Sequence, residues 1–328
     1  MLPSLLLCAL LDAAPAPAPS FHLLEQGRTP SFSKEGPRRQ DLSGAVAAEG
    51  KAFLVYDGGP GSAQPEIRVT PLDRLQEPGK VLPRVVGQRD LEAITFVQGR
   101  FYIVSSQDQV DEDTEAFRLL TEFQLDPSGR FVRNERSVVI RDLLLDALRT
   151  LPDEAWFTRV AATFGVRGGL NIEGLSHDPE EPETLLLGLR SPLWGPTFGD
   201  PTFGRGFGLD RGHALVAWIS RPFSPRPQVR LESLDLGGQG IRDLAWVPAL
   251  GGYLVIGGPV DKGRSFGLWL WVRGQAPRRL QAPGFDQLCR PEAVMPIPGK
   301  AEVCIFSEEG GPLCESPAVT YIRLAIRP

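Results

Sequence analysis

Three glutamates recur at one position of a repeated motif: Glu92 in Leu91-Glu92-Ala93-Ile94, Glu173 in Ile172-Glu173-Gly174-Leu175, and Glu292 in Pro291-Glu292-Ala293-Val294. A fourth copy, Ile241-Arg242-Asp243-Leu244, places an arginine there with Asp243 one residue on, and a fifth, Leu42-Ser43-Gly44-Ala45, places a serine. Carboxylates brought to one point repel each other unless a cation or basic side chains compensate them. An oxygen-rich set of that kind suits calcium, which tolerates many ligands and irregular geometry. The expected calcium ligands are Glu92, Glu173, Asp243 and Glu292, with an amide oxygen from Asn171.

In a hydrolytic version of this site, calcium polarises a phosphate ester and activates water. Glu92, Glu173 and Glu292 are then the catalytic acids, while Arg190 and Arg242 grip the phosphoryl oxygens. The same residues support two other chemistries. Arg190 and Arg242 can satisfy buried acids through paired hydrogen bonds, with no metal involved. Alternatively, the arginines bind an anionic substrate directly.

Residues so far apart in sequence meet only if similar elements are arranged around an axis. Each motif is followed by a second apolar strand: Ala52 to Asp57, Phe101 to Ser105, Thr184 to Arg190, Tyr253 to Gly257 and Val303 to Ser307. The shared position recurs at spacings of 49, 81, 69 and 50 residues. The two long intervals contain visible insertions. In Arg141 to Phe164, Leu144, Leu145, Leu148, Trp156, Val160 and Phe164 fall at helical spacing. The other insertion is the glycine-rich Gly195 to Gly212. Without them the period approaches the size of one four-stranded propeller blade.

A lone blade cannot cover both of its apolar faces, and stacking between neighbours does so. The predicted fold is therefore all-β: a β-propeller of five blades, with six as the alternative, a two-sheet sandwich as the structural rival, and one helical insertion. The last repeat is one strand short, and Phe21-His22-Leu23-Leu24 can supply that strand and lock the ring.

Composition agrees with many short strands. The chain has 328 residues with 36 Gly and 31 Pro, a density of turn formers that long helices could not carry. Net charge is −5 and no run of Lys or Arg exceeds two residues, which excludes non-specific nucleic-acid binding. Residues 1–20 combine a short apolar run with an Ala/Pro tract and read as a secretory signal, too short to span a bilayer. They precede a single propeller domain over 21–328, and the expected location is secreted or periplasmic. No later stretch reads as transmembrane.

Several of these motifs carry a resemblance: Asp90-Leu91-Glu92-Ala93-Ile94, Asn171-Ile172-Glu173-Gly174-Leu175, Gly188-Leu189-Arg190-Ser191-Pro192, Leu236 to Leu244, Pro291-Glu292-Ala293 and Ser307-Glu308-Glu309-Gly310. They resemble a bacterial domain family of unknown function, related in pattern to esterase-like phytase propellers. The resemblance runs from about residue 40 to the C-terminus. It implies a propeller and leaves the activity open between ester hydrolysis and non-catalytic binding of a small molecule, a carbohydrate or a protein. Trp194, Phe198, Phe203 and Phe207, set among glycines, read either as a binding surface or as a plug packed over the channel.

The remaining motifs point away from other chemistries. His22, His177 and His213 share no repeat position, so an imidazole centre is not expected. Gly204 to Gly208 precedes a strand where a phosphate loop needs a helix, and acidic Asp108 to Glu115 lacks the glycine of a calcium-binding helix–loop–helix. Among Cys289, Cys304 and Cys314, a bridge between Cys304 and Cys314 across the Ser-Glu-Glu-Gly-Gly-Pro turn is plausible, with three free thiols as the alternative.

Overall fold

The computed structural model describes residues 19–29, 42–57, 65–83, 87–107, 115–162, 169–195, 212–260, 263, 265–308, 314 and 319–327. Residues 1–18 of the expected signal segment, Phe164, the insertion aromatics Phe198, Phe203 and Phe207, residues 204–208, Glu309-Gly310 and all but Glu115 of the acidic stretch lie outside them.

The chain opens with β1 (Ser20–Thr29). Blade one is β2 (Leu42–Ala48), β3 (Lys51–Tyr56), β4 (Glu66–Pro71) and β5 (Lys80–Val81). Blade two is β6 (Leu91–Val97), β7 (Arg100–Ser105), β8 (Leu119–Leu125) and β9 (Val132–Val139). After two helices, α1 (Arg141–Arg149) and α2 (Glu154–Ala161), blade three is β10 (Asn171–His177), β11 (Thr184–Trp194), β12 (His213–Ser220) and β13 (Gln228–Leu234). Blade four is β14 (Gly240–Val247), β15 (Gly252–Gly258), β16 (Gly267–Trp271) and β17 (Arg278–Leu280). Blade five takes β18 (Pro291–Pro296), β19 (Glu302–Ser307) and β20 (Val319–Arg327) from the end of the chain and β1 from its beginning.

All five sheets are four-stranded and antiparallel, and the first strand of each repeat is innermost. The inner strands touch in the order β2, β6, β10, β14, β18 and back to β2, which closes the ring at five blades. β1 completes blade five by pairing with β20 from Ser20↔Arg327 to Thr29↔Val319, the closure expected of Phe21 to Leu24.

Five inter-blade cores hold this ring. Phe53, Ile67, Phe101 and Phe123 fill the first, between blades one and two. Leu186, Trp218, Tyr253 and Trp271 fill the one between blades three and four, and Leu54, Met295, Phe306 and Tyr321 the one that joins blade five back to blade one. Because the second strand of each blade is covered on both faces, it reads as a continuous apolar run such as Phe53-Leu54-Val55 or Leu185-Leu186-Leu187. The helical insertion packs Leu144, Leu148, Trp156 and Val160 into the core between blades two and three.

Two-residue hairpins, Glu49-Gly50 and Gln98-Gly99, join the first two strands of blades one and two. Positive φ at both residues of each (51° and 74°, 50° and 78°) matches the twist of the flanking strands.

The cysteine pairing differs from the expected one. Cys289, ahead of β18, bonds to Cys314, while Cys304 is buried as a free thiol. Cys304 lies in mid-strand with its side chain in the core beside Met295 and Phe306, which turns it away from the loop that carries Cys314.

Candidate functional site

The position shared by the five motifs is a β-bulge repeated around the ring. In blade two, Leu91 pairs with Ser105 and Ala93 with Val104, which leaves Glu92 without a partner across the ladder. The register skips Ser43, Glu173, Arg242 and Glu292 in the same way in the other four inner strands. A bulge bends its strand and re-aims the extra side chain. Five bulges at one level therefore gather five side chains, with the residues just before each inner strand and just after each second strand, into one polar hub. The hub needs close backbone approach. A Cβ on Gly44 would lie 2.9 Å from the Cα of Ala93 in the next blade, and one on Gly240 would overlap the carbonyl oxygen of Arg190.

Arg242 is central to the ionic part. Its Nη1 lies 2.8 Å from Glu173 Oε2, its Nε donates to Glu292 Oε2 at 2.7 Å, and its Nη2 donates to Glu292 Oε1. Arg190 Nη1 donates to Glu173 Oε1 at 2.7 Å and Nε to the Pro259 carbonyl oxygen at 3.1 Å. Asn171 Nδ2 donates to Glu173 Oε1 at 3.2 Å. On the far side, Arg290 reaches Glu292 at 3.5 Å and Glu308 at 2.6 Å. Burial alone would pull the Arg242 pKa down, but Glu173 and Glu292 more than reverse this and raise it. Burial pushes the Glu292 carboxyl up, with Arg242 opposing.

Asp243 points elsewhere. Its oxygens accept from the backbone N–H groups of Leu244 at 2.8 Å and Val294 at 2.7 Å, and it also accepts from that of Leu175. It is thus a staple across the inner strands of blades three, four and five, with its lone pairs engaged by backbone. Burial raises its pKa well above the ordinary value, and the three N–H groups oppose that rise.

Glu92 joins a different set. One oxygen each from Asp57, Asp90 and Glu92 lie within 4.8 Å of one another, across blades one and two. Ser106 donates its hydroxyl to Asp90. Burial pushes the Glu92 carboxyl well above the usual range, and Asp90, Glu173 and Asp57 push it further, while Arg242 pulls it down.

The structure therefore divides the residues expected to act together. Glu173, Glu292, Arg190, Arg242 and Asn171 form one hydrogen-bonded ionic network, Asp243 ties blades, and Glu92 sits with two further carboxylates. Asp57, Asp90, Arg290 and Glu308 were not among the expected site residues. Asp90 and Arg290 each stand two residues before a bulge, and Asp57 and Glu308 each directly follow a second strand, so comparing these flanking positions across repeats would have found them.

No protein-family model matches the chain, and no curated protein matches it in sequence. Among solved structures it is similar to the Dos1 propeller (6% identity, TM-score 0.39), covering 82% of this chain and 54% of that one. It is also similar to a luciferin-regenerating enzyme (9% identity, TM-score 0.44, covering 94% and 95%). A third likeness is to a DUF4623 family protein from Bacteroides eggerthii DSM 20697 (11% identity, TM-score 0.42, covering 88% and 56%). The chain thus spans about half the length of the first and third of these. What the residues themselves establish is a five-bladed propeller with a charged hub built on five bulges.

Proposed function

We propose that the hub holds a divalent cation, calcium by the hardness of its donors, on Asp57, Asp90 and Glu92, and that the loaded site takes an ester, a phosphate ester foremost. The observation that carries this reading is the convergence of those three carboxylates from two adjacent blades. One further feature fits a hard cation there: Glu92 has no hydrogen bond or ion pair with any described residue. Carboxylate oxygens in irregular placement are what calcium accepts. When bound, the cation would supply Lewis-acid polarisation of an ester oxygen and a more acidic water.

The network around Arg242 positions this site. With its guanidinium divided between Glu173 and Glu292, Arg242 neutralises both buried acids and fixes blades three, four and five relative to each other. That same commitment supports a second reading, non-catalytic binding, because Arg242 then has little left to offer a phosphoryl group. The Cys289–Cys314 bond supports an oxidising, exported location.

The test is titration calorimetry of metal-free protein with calcium and magnesium, then a phosphate- and carboxylic-ester panel with calcium or chelator. Saturable calcium binding that Asp57→Asn and Glu92→Gln each abolish is expected, with turnover confined to the calcium arm. Binding without turnover selects the non-catalytic reading, and absence of calcium binding ends the cation site and the hydrolysis built on it.

A further inference from the structure

The opposite end of the axis is built differently. Beyond the level of the bulges, the five inner strands enclose a cavity of about 380 Å³ that extends to the turns following β14 and β18. Its size lies within the range of small-ligand sites, which are concave, mostly apolar and oriented by a few polar groups. Ala45, Ile94, Leu175, Leu244 and Val294 form its inner wall, and Trp246, whose ring packs edge-on against Tyr253, also lines it.

Most polar groups in this cavity are already engaged. Asp243 accepts its backbone N–H groups. Ser176 Oγ accepts from the backbone N–H of Trp246 at 3.2 Å. Glu302 holds Arg323 at 2.8 and 2.6 Å. Burial pulls the His177 imidazole below its ordinary pKa, despite Asp178, and its buried Nδ1 has no hydrogen-bond partner among the described residues. Two further groups remain. Thr95 has no hydrogen bond to a described residue, and the exposed ammonium of Lys300 at the mouth makes no ion pair among the described residues. A single cation at the rim of an apolar hollow calls for one negative charge on an apolar body. A second negative charge would meet the nearby carboxylate of Glu302.

We infer that this cavity binds a small amphipathic carboxylate, its apolar body against Trp246 and the aliphatic wall and its carboxylate at Lys300. The site is independent of the cation hub at the other end of the axis. Indole-3-acetate and its neutral amide are suitable probes, followed by Trp fluorescence and calorimetry with chelator present. Both should bind, the acid more tightly, and Lys300→Gln should weaken the acid by about three- to fivefold, as expected for an exposed ion pair, and leave the amide unchanged. Ala245→Phe, at a half-buried wall position, should abolish both at an unchanged melting temperature, and if that variant does not fold, Trp246→Ala should weaken both probes alike. No saturable binding of either probe, or binding that survives both the Phe filling and the Trp246 truncation, overturns the site. Equal affinity for acid and amide overturns its charge preference. Repeating the titration in Glu92→Gln keeps the result separate from any failure of the calcium reading.

Discussion

Replacing Arg242 with Met tests the ionic network most directly. The substitution keeps most of the aliphatic volume and deletes the guanidinium. Glu173 keeps Arg190 at 2.7 Å, but Glu292 is left with Arg290 at 3.5 Å as its nearest cation, inside a site where its side chain is only 5% exposed. Breaking a buried pair from one side costs about 3–5 kcal/mol, because the remaining charge is stranded. With an unfolding entropy of about 2.1 cal/mol/K per residue, a chain of this length should lose about 4–7 °C of melting temperature. The stranded acids would hold protons in the folded state that the unfolded chain releases above about pH 4.3, so the deficit should widen as pH rises and shrink as it falls toward that value. Thermal unfolding of metal-free wild type and variant at pH 5 and pH 8 reads both effects. R242M/E292M should recover at least half of the loss by removing the stranded carboxylate. A variant that melts within about 1 °C of wild type, or a deficit independent of pH, would refute the reasoning.

Glu92→Gln should abolish stabilisation by calcium. In metal-free protein it should also remove part of the decline in stability with rising pH, since a carboxyl raised in the folded state stabilises below its unfolded value and loses that contribution as pH climbs through the folded one; parallel melting curves for wild type and variant from pH 5 to 8 would contradict this. Cys289→Ser opens a loop of 25 residues and should cost about 3.5 kcal/mol by loop entropy, whereas Cys304→Ser should leave the disulfide intact by mass spectrometry. Gly240→Ala, which drives a methyl into the Arg190 carbonyl, should lower stability more than Gly50→Ala, where the added methyl meets nothing and only the positive φ resists; denaturant midpoints of the two variants decide the order.

The ring was legible in the sequence because its requirements are repetitive. A strand covered on both sides must be apolar throughout, and the bulge position stands out as a polar residue directly after an apolar one at each strand's start, so Glu92, Glu173, Arg242 and Glu292 could be aligned across insertions. Ion pairing was harder to read. Whether Glu173 meets Arg242 or a metal depends on angles around the axis that spacing does not encode. Asp57 was hidden for a related reason, since a single acid at the end of a strand looks like any edge residue until a neighbouring blade brings Asp90 and Glu92 against it. The cysteine pairing failed on strand phase: Cys304 is nearest Cys314 in sequence, but mid-strand geometry sends it inward.

The shared fifth sheet has a kinetic consequence. β1 emerges first during synthesis and its partner β20 last, so almost the whole chain must be made before that edge is covered. Until then four blades form an open arc with two apolar flanks, and the late step is one long-range annealing event between strands that begin and end side by side, Ser20 against Arg327. Joining those neighbouring positions through a short linker and opening the chain in another inter-blade turn would turn that slow encounter into a local one, which should speed refolding and leave the finished ring unaltered.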